Sequence, residues 1–262
     1  SGKVQHTVMG ARGPIDSIKQ AFHATEFLGY EQTEAEAKVL AVITGDPPHD
    51  HLCDQLDRPD PQAPVRVVLD RTPFYGESGG QVGDTGTLSG AGCKFEVVDT
   101  QRDGELLVHH GHLLQGAIRE GQTVAAVVNA QRRDGIRRAH SATHILHYAL
   151  QKNLGTHAQQ QGSKVDDDWL RFDFTNLSPV DEPHLAAITR DVADRIAAAE
   201  EIRWDIVPLA DARAEGAMML FGEKYPDPVR MVSMGSFSKE LCGGTHLAST
   251  ADVDQFEKSR PP

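Results

Sequence analysis

Two short patterns about a hundred residues apart constrain this chain most. His140 and His144 form an HxxxH, and Cys242 and His246 form a CxxxH inside the string LCGGTH at 241–246. On a helix, side chains four residues apart share one face, so His140 and His144 can grip a single ion. Two imidazoles, a thiolate and a third imidazole make a ligand set that zinc prefers. Each pattern alone is weak evidence, because helices often carry spare histidines. Read together, in a chain with 3 cysteines, they point to one zinc site that ties a helix to a distant segment. The competing reading is two solvated histidines and a buried Cys242. On spacing alone His147 is a rival ligand, since it shares the helical face of His140 and His144.

A chain of 262 residues can bury a proper core, and two subdomains are expected. No apolar run approaches the ~20 residues of a membrane span, and no signal-peptide core stands at the N-terminus. The opening Ser1 and Gly2 read as a non-native start. An odd number of cysteines argues against a disulfide framework and for a reducing, cytoplasmic setting. Cys53 and Cys93 have no ligand-spaced partner. The formal net charge of −12 argues against general nucleic-acid affinity, which needs basic residues. A local basic patch remains open, because Arg132, Arg133, Arg137 and Arg138 cluster just before His140. A solvated helix start accounts for them equally well.

Residues 1–30 read as a linker. Residues 31–129 carry short apolar runs, at 36–43, 65–69, 95–98, 106–109 and 123–128, separated by glycine-rich turns and by proline-rich loops at 45–50 and 58–64. Glycines at 76–86 permit tight positive-φ turns and close backbone approach. Closely spaced strands of this kind predict a small β-barrel. After residue 130 the pattern changes. Asn129 can cap a helix running to about 153, and Gly155 can end it. Strands are expected at 169–174, 202–207 and 229–234, and helices at 181–200 and 209–217. The fold class is therefore α+β: a glycine-rich β-barrel subdomain at 31–129, followed by an α+β core at 130–262 that carries the zinc site.

Several strings in this order are specific: RTPFYGESGGQVGDTG at 71–86, AHSATHILH at 139–147, GTHAQQQGS at 155–163, LRFDF at 170–174, GAMMLFGEKY at 216–225 and LCGGTH at 241–246. Together they closely resemble the editing domain of bacterial alanyl-tRNA synthetases, from about residue 25 to about residue 250. The HxxxH and CxxxH pair is shared with the threonyl branch, whereas the glycine-rich string and FGEKY point to the alanyl branch. The resemblance implies post-transfer editing: hydrolysis of the ester in mischarged seryl- and glycyl-tRNA(Ala), with the aminoacylated 3′ end of tRNA(Ala) as partner. It implies a Zn2+ cofactor held by His140, His144, Cys242 and His246, and it favours His246 over His147. The ATP-binding aminoacylation half and the oligomerisation region of that family are not expected in this sequence. Residues 252–262 match the family only weakly, which suggests an end near a domain edge.

Within that resemblance Thr143, inside HxxxH, can sense a serine hydroxyl, or can simply pack its methyl. Gln160 matches a pocket glutamine whose amide can donate and accept, or is plainly exposed. Arg171 either holds the tRNA 3′ end or pairs with Asp173. Gln81 and Asp84 either shape a channel for tRNA or serve a turn. A metal here can lower the pKa of water toward ~7 or can position the substrate amino group. Four protein ligands leave no open position, which favours positioning. Alanine is smaller than serine, so its rejection must come from hydrogen bonds that only serine makes; nothing in the sequence accounts for glycine. Two other readings compete: a non-catalytic zinc-containing tRNA-binding module and a free-standing trans-editing deacylase. A zinc peptidase is disfavoured, since Ser141 stands where its helix needs a glutamate.

Overall fold

The computed structural model describes residues 13–219 and 224–257. The chain divides into two compact units. The first runs to Gly76 and resumes over Asp84–Val128; the second combines Glu77–Gly83 with the chain from Asn129 onward.

The first unit begins with helix α1 (Pro14–Phe22), in a stretch whose sequence reads as a linker. Pro14 suits the first helical turn. Ile15 and Ile18 hold the helix by packing on Ala41, Ile43, Val68, Leu106 and Val108. Six strands then close into an antiparallel barrel: β1 (Glu34–Thr44), β2 (Val65–Leu69), β3 (Gly86–Gly90), β4 (Cys93–Asp103), β5 (Leu106–Gln115) and β6 (Thr123–Val128). Their order is β6-β3-β4-β5-β2-β1, and β1 pairs back to β6 through Glu34–Val127 to Lys38–Thr123. Closure leaves no long edge to be covered. Alternation along the strands supplies the interior, with Val39, Val67, Leu88, Phe95, Leu113 and Val124 in one cluster. A register shift between Val39 and Ala41 changes which residues of β1 face inward: Val39 and Val42 line the interior, while Ala41 and Ile43 face α1.

β4 and β5 run well beyond the apolar stretches at 95–98 and 106–109. Each recruits polar residues, such as Gln101 paired with Val108 and Glu96 with His112, because a partner strand satisfies their backbone groups.

The second unit is organised on helix α2 (Ala130–Leu154). The Asn129 side chain accepts from Arg132 N–H at its start, and Gly155 N–H returns to Gln151 O at its end. A hairpin follows, β7 (Gln160–Asp166) and β8 (Trp169–Phe174). Helix α3 (Glu182–Ala197) is capped by Asp181, which accepts from His184 N–H. Then come β9 (Ile202–Val207), the short α4 (Leu209–Ala214), β10 (Val229–Met234) and β11 (Ser238–Leu241), with β9, β10 and β11 forming one antiparallel sheet. One face of α2 packs Ala142, Ile145 and Ala149 against Ile188 and Val192 of α3 and Val232 and Met234 of β10. No described helix is long and apolar enough to cross a membrane.

Candidate metal centre

Every group of this centre lies in the second unit. His140 and His144 sit one turn apart on α2, both buried. Cys242 and His246 lie in the loop that leaves β11. Their ligand atoms all fall within 4.8 Å of one another. Cys242 Sγ is 3.4 Å from both His140 Nε2 and His246 Nε2. The three imidazole centroids are 4.3 to 5.3 Å apart.

The outer nitrogens meet a set of polar partners. His140 Nδ1 is 2.8 Å from Gln81 Oε1. His144 Nδ1 is 3.5 Å from Glu240 Oε1, and His246 Nδ1 is 3.2 Å from Ser141 Oγ. His140 Nδ1 faces an amide oxygen that only accepts, so the neutral ring turns its Nε2 lone pair toward the sulfur, and His246 Nε2 faces the same sulfur. Lone pairs converging on a thiolate repel unless a positive charge lies among them, so this donor set fits a cation.

The electrostatics agree. Burial would lift the Cys242 thiol, but His140 and His246 outweigh it and hold the group well below its ordinary value. Burial would lower His144, yet the Glu240 carboxylate and Cys242 hold it up at about 9. His246 falls well below its usual range, first through burial and then through His140. Burial would raise Glu240, but His144 and His147 keep it below the ordinary carboxylate value. A buried carboxylate and a buried thiolate thus attract compensating charge, as a proton on His144 or as a metal ion.

The loop leaving β11 is shaped for this approach. A Cβ at Gly244 would lie 2.0 Å from His140 Cε1, so only glycine lets the loop reach the ring. Arg230 Nη1 donates to the carbonyls of Cys242 and Gly244, each at 2.8 Å, and Cys242 Sγ accepts from Gly244 N–H at 3.4 Å.

The other residues named from the sequence divide. Thr143 is buried on α2 beside the two ligands, and its hydroxyl donates to Ala139 O at 2.8 Å. Gln160 opens β7 and donates from Nε2 to Ser163 Oγ at 3.0 Å. Arg171 pairs with Asp173 at 3.2 Å on the exposed side of β8. His147 stands apart from the four ligand atoms: its Nδ1 is 3.6 Å from Glu240 Oε2, and its ring centroid is 5.1 Å from that of Phe172.

The four arginines do not form one open patch. Arg133 is fully buried in α2, and Arg132 donates to Gly83 O and Asp166. Arg137 pairs with Asp134, and Arg138 clasps both carboxylate oxygens of Asp168. Gln81 is 0% exposed, which removes it from any surface channel. Asp84 belongs to the first unit, where its carboxylate accepts from Tyr75 N–H. Leu220 to Glu223, within the GAMMLFGEKY string, lie outside the described residues.

Ser141, Arg230, Glu240 and Gly244 carry no weight as ligands in the sequence reading, yet all contact the centre. Glu240 and Gly244 flank or fall inside LCGGTH, so proximity to the motif was the available signal. Ser141 lies inside HxxxH. Arg230 had none.

Two family profiles match the sequence. One is described as tRNA synthetases class II (A), over residues 4–132, and the other as Threonyl and Alanyl tRNA synthetase second additional domain, over residues 229–258. An alanine–tRNA ligase of Rhodopirellula baltica is 56% identical over 254 residues, which is 95% of this chain and 27% of that protein. A relative with the same printed name from Legionella pneumophila (strain Paris) is 42% identical over 92% of the chain. Another from Shewanella amazonensis is 44% identical over 89%. The chain spans about a quarter of the length of these relatives, 26 to 27%.

Proposed function

Because the chain belongs to the family of alanyl-tRNA synthetases, we propose that it is the editing portion of such an enzyme, a zinc-dependent deacylase that clears serine and glycine from tRNA(Ala) in the cytoplasm. The observation that carries the reading is the convergence of His140, His144, Cys242 and His246 within 4.8 Å. Zn–S and Zn–N bonds of about 2.3 and 2.0–2.1 Å in a tetrahedron set S···N edges of about 3.5 Å. The two Cys242–histidine separations of 3.4 Å match that edge. Bound by these four residues, a zinc ion would supply a positive charge that positions the substrate.

The reaction is ester hydrolysis. Water adds to the aminoacyl carbonyl carbon, the bond to the ribose oxygen breaks, and that oxygen takes up a proton. The products are the free amino acid and uncharged tRNA. The chain's own residues orient and select. The Thr143 hydroxyl spends its hydrogen on Ala139 O, so its oxygen is left to accept. Gln160 spends an N–H on Ser163, which leaves its amide oxygen to accept. A serine hydroxyl offers the donor that both can use; alanine and glycine offer none, so these contacts select serine alone. Arg171 and the exposed parts of Arg132, Arg137 and Arg138 are the cations on this unit assigned to the tRNA backbone. Gln81 serves the site from within.

The test is single-turnover deacylation of seryl-tRNA(Ala) and alanyl-tRNA(Ala), with and without chelator. Seryl-tRNA(Ala) should be hydrolysed far faster, chelation should abolish this, and zinc should restore it. Thr143→Val or Gln160→Ala removes one neutral hydrogen bond, about 0.5–1.5 kcal/mol, so selectivity should fall by up to roughly tenfold. A zinc-loaded chain that leaves seryl-tRNA(Ala) intact would refute the deacylase reading. Unchanged selectivity in both zinc-loaded variants would remove these two side chains from recognition.

A further inference from the structure

The loop at 77–83 lies far from both ligand patterns in sequence, yet it groups with the second unit. Gln81 is its deepest residue, with no exposed surface. All three hydrogen-bonding contacts of its amide go to the metal centre. Oε1 accepts from Thr245 N–H at 2.9 Å, Nε2 donates to Thr245 Oγ1 at 2.9 Å, and Oε1 is 2.8 Å from His140 Nδ1. We propose that Gln81 is a positioning residue that locks His140 and the CGGTH loop into one ligating arrangement and so sets the metal affinity; this rests on the metal-centre reading above.

The chemistry of the contacts leaves little freedom. A backbone N–H only donates, so the amide atom facing Thr245 N must be the oxygen. That same oxygen faces His140 Nδ1, so Nδ1 must carry the hydrogen. In the neutral ring that a metal would bind, Nε2 then carries the lone pair, and Nε2 is the atom that faces Cys242 Sγ. A histidine ligand whose other nitrogen donates to a fixed acceptor has its tautomer and ring orientation set in advance. Here one oxygen does this for His140 while also holding the loop that bears Cys242 and His246.

The amide is itself held by the fold. Gln81 and Ser78 exchange backbone hydrogen bonds of 3.0 and 3.1 Å. Gly80 O accepts from Val165 N–H at 2.8 Å, and Val82 N–H donates to Val165 O at 3.1 Å. Gly80 has φ +85, and a Cβ there would fall 2.6 Å from Ser163 O, so only glycine lets the loop lie this close to β7. Gly80 thus helps place one amide at a depth where it has no exposed surface.

The test measures zinc affinity by chelator competition, and the visible spectrum of the cobalt-substituted protein, in four chains. Gln81→Met keeps the length and removes the acceptor; Gln81→Glu keeps the acceptor; Thr245→Val removes only the hydroxyl partner. Gln81→Met should lower zinc affinity by about 10- to 100-fold and change the cobalt ligand-field bands. Gln81→Glu and Thr245→Val should keep affinity within about threefold and keep the wild-type spectrum. If Gln81→Met does not fold, Gln81→Asn withdraws the amide by one methylene and should show the same loss. Wild-type affinity and spectrum in Gln81→Met or Gln81→Asn would overturn the proposal, as would equal losses in Gln81→Glu and Gln81→Met. A wild-type chain that binds no zinc would instead overturn the metal centre itself.

Discussion

Replacing Gly244 by alanine tests the metal centre with a single methyl group. The added Cβ would stand 2.0 Å from His140 Cε1, 2.4 Å from His140 Nδ1 and 2.7 Å from Gln81 Oε1. Carbon atoms in ordinary contact sit about 3.5 Å apart, so the loop and the ring must separate by about 1.5 Å. The loop cannot give freely, because Arg230 holds the carbonyls on both sides of Gly243. The ring cannot give without leaving Gln81. Metal–ligand distances tolerate about 0.2 Å, so a shift this large removes His140 or Cys242 from the ligand set. Zinc affinity should fall on the order of a hundredfold or more, beyond what an outer-sphere change costs. Overpacking adds about 1–3 kcal/mol of destabilisation in the metal-free chain. Chelator competition, zinc content and thermal melts measure both effects. Gly13→Ala is the control, since a Cβ there meets nothing within 4 Å. Wild-type zinc affinity in Gly244→Ala would refute the placement of His140 among the ligands.

Two further outcomes follow from buried histidines. In the metal-free protein His144 is held up at about 9, so below that pH a metal must displace its proton. Zinc affinity should therefore rise about tenfold per pH unit from 7 to 9 and then level off; a flat profile in chelator competition over that range would show that His144 is already neutral. In the barrel, burial pushes His109 down to about 4, with His110 adding to the effect and the bond to Val67 O opposing it. The unfolded chain takes up this proton near 6.5 and the folded chain only near 4, so stability is lost as pH falls between those values. The loss reaches about 3 kcal/mol at about 1.4 kcal/mol per unit. Urea unfolding of wild type and His109→Gln from pH 7.5 to 4.5 should diverge by about 2.5 kcal/mol, and parallel curves would sink the argument.

Part of this protein is legible in the sequence because the signal is local. HxxxH places two ligands on one helical face through backbone geometry alone, and Asn129 and Gly155 bound that helix through their own side chain and lack of one. Alternating apolar residues mark β8, whose burial alternates along its length, whereas β9 and β10 are marked by their β-branched and apolar residues without that alternation. By contrast, QQGSKVD at 160–166 has no such pattern, and it becomes β7 only because β8 supplies its hydrogen-bond partners. Helix α1 exists because the outer faces of β1, β2 and β5 offer an apolar seat to Ile15 and Ile18.

The same division runs through the site. Residue type and spacing nominate His140, His144, Cys242 and His246, since ligand chemistry belongs to the side chain itself. They also nominate Arg132, Arg133, Arg137 and Arg138 as a basic patch, but a buried charge cannot meet a partner and a paired one must be shared with it. Tertiary structure buries Arg133 and turns the other three toward Asp166, Asp134 and Asp168. Gln81 reads equally as channel or turn until the fold carries it beneath His140 and Thr245. His147 reads as a ligand until Glu240 and Phe172 claim its surroundings. Which residues could ligate a metal is written in the sequence; which of them converge, and what holds them in place, depends on long-range contacts, and these exist only once the chain has folded.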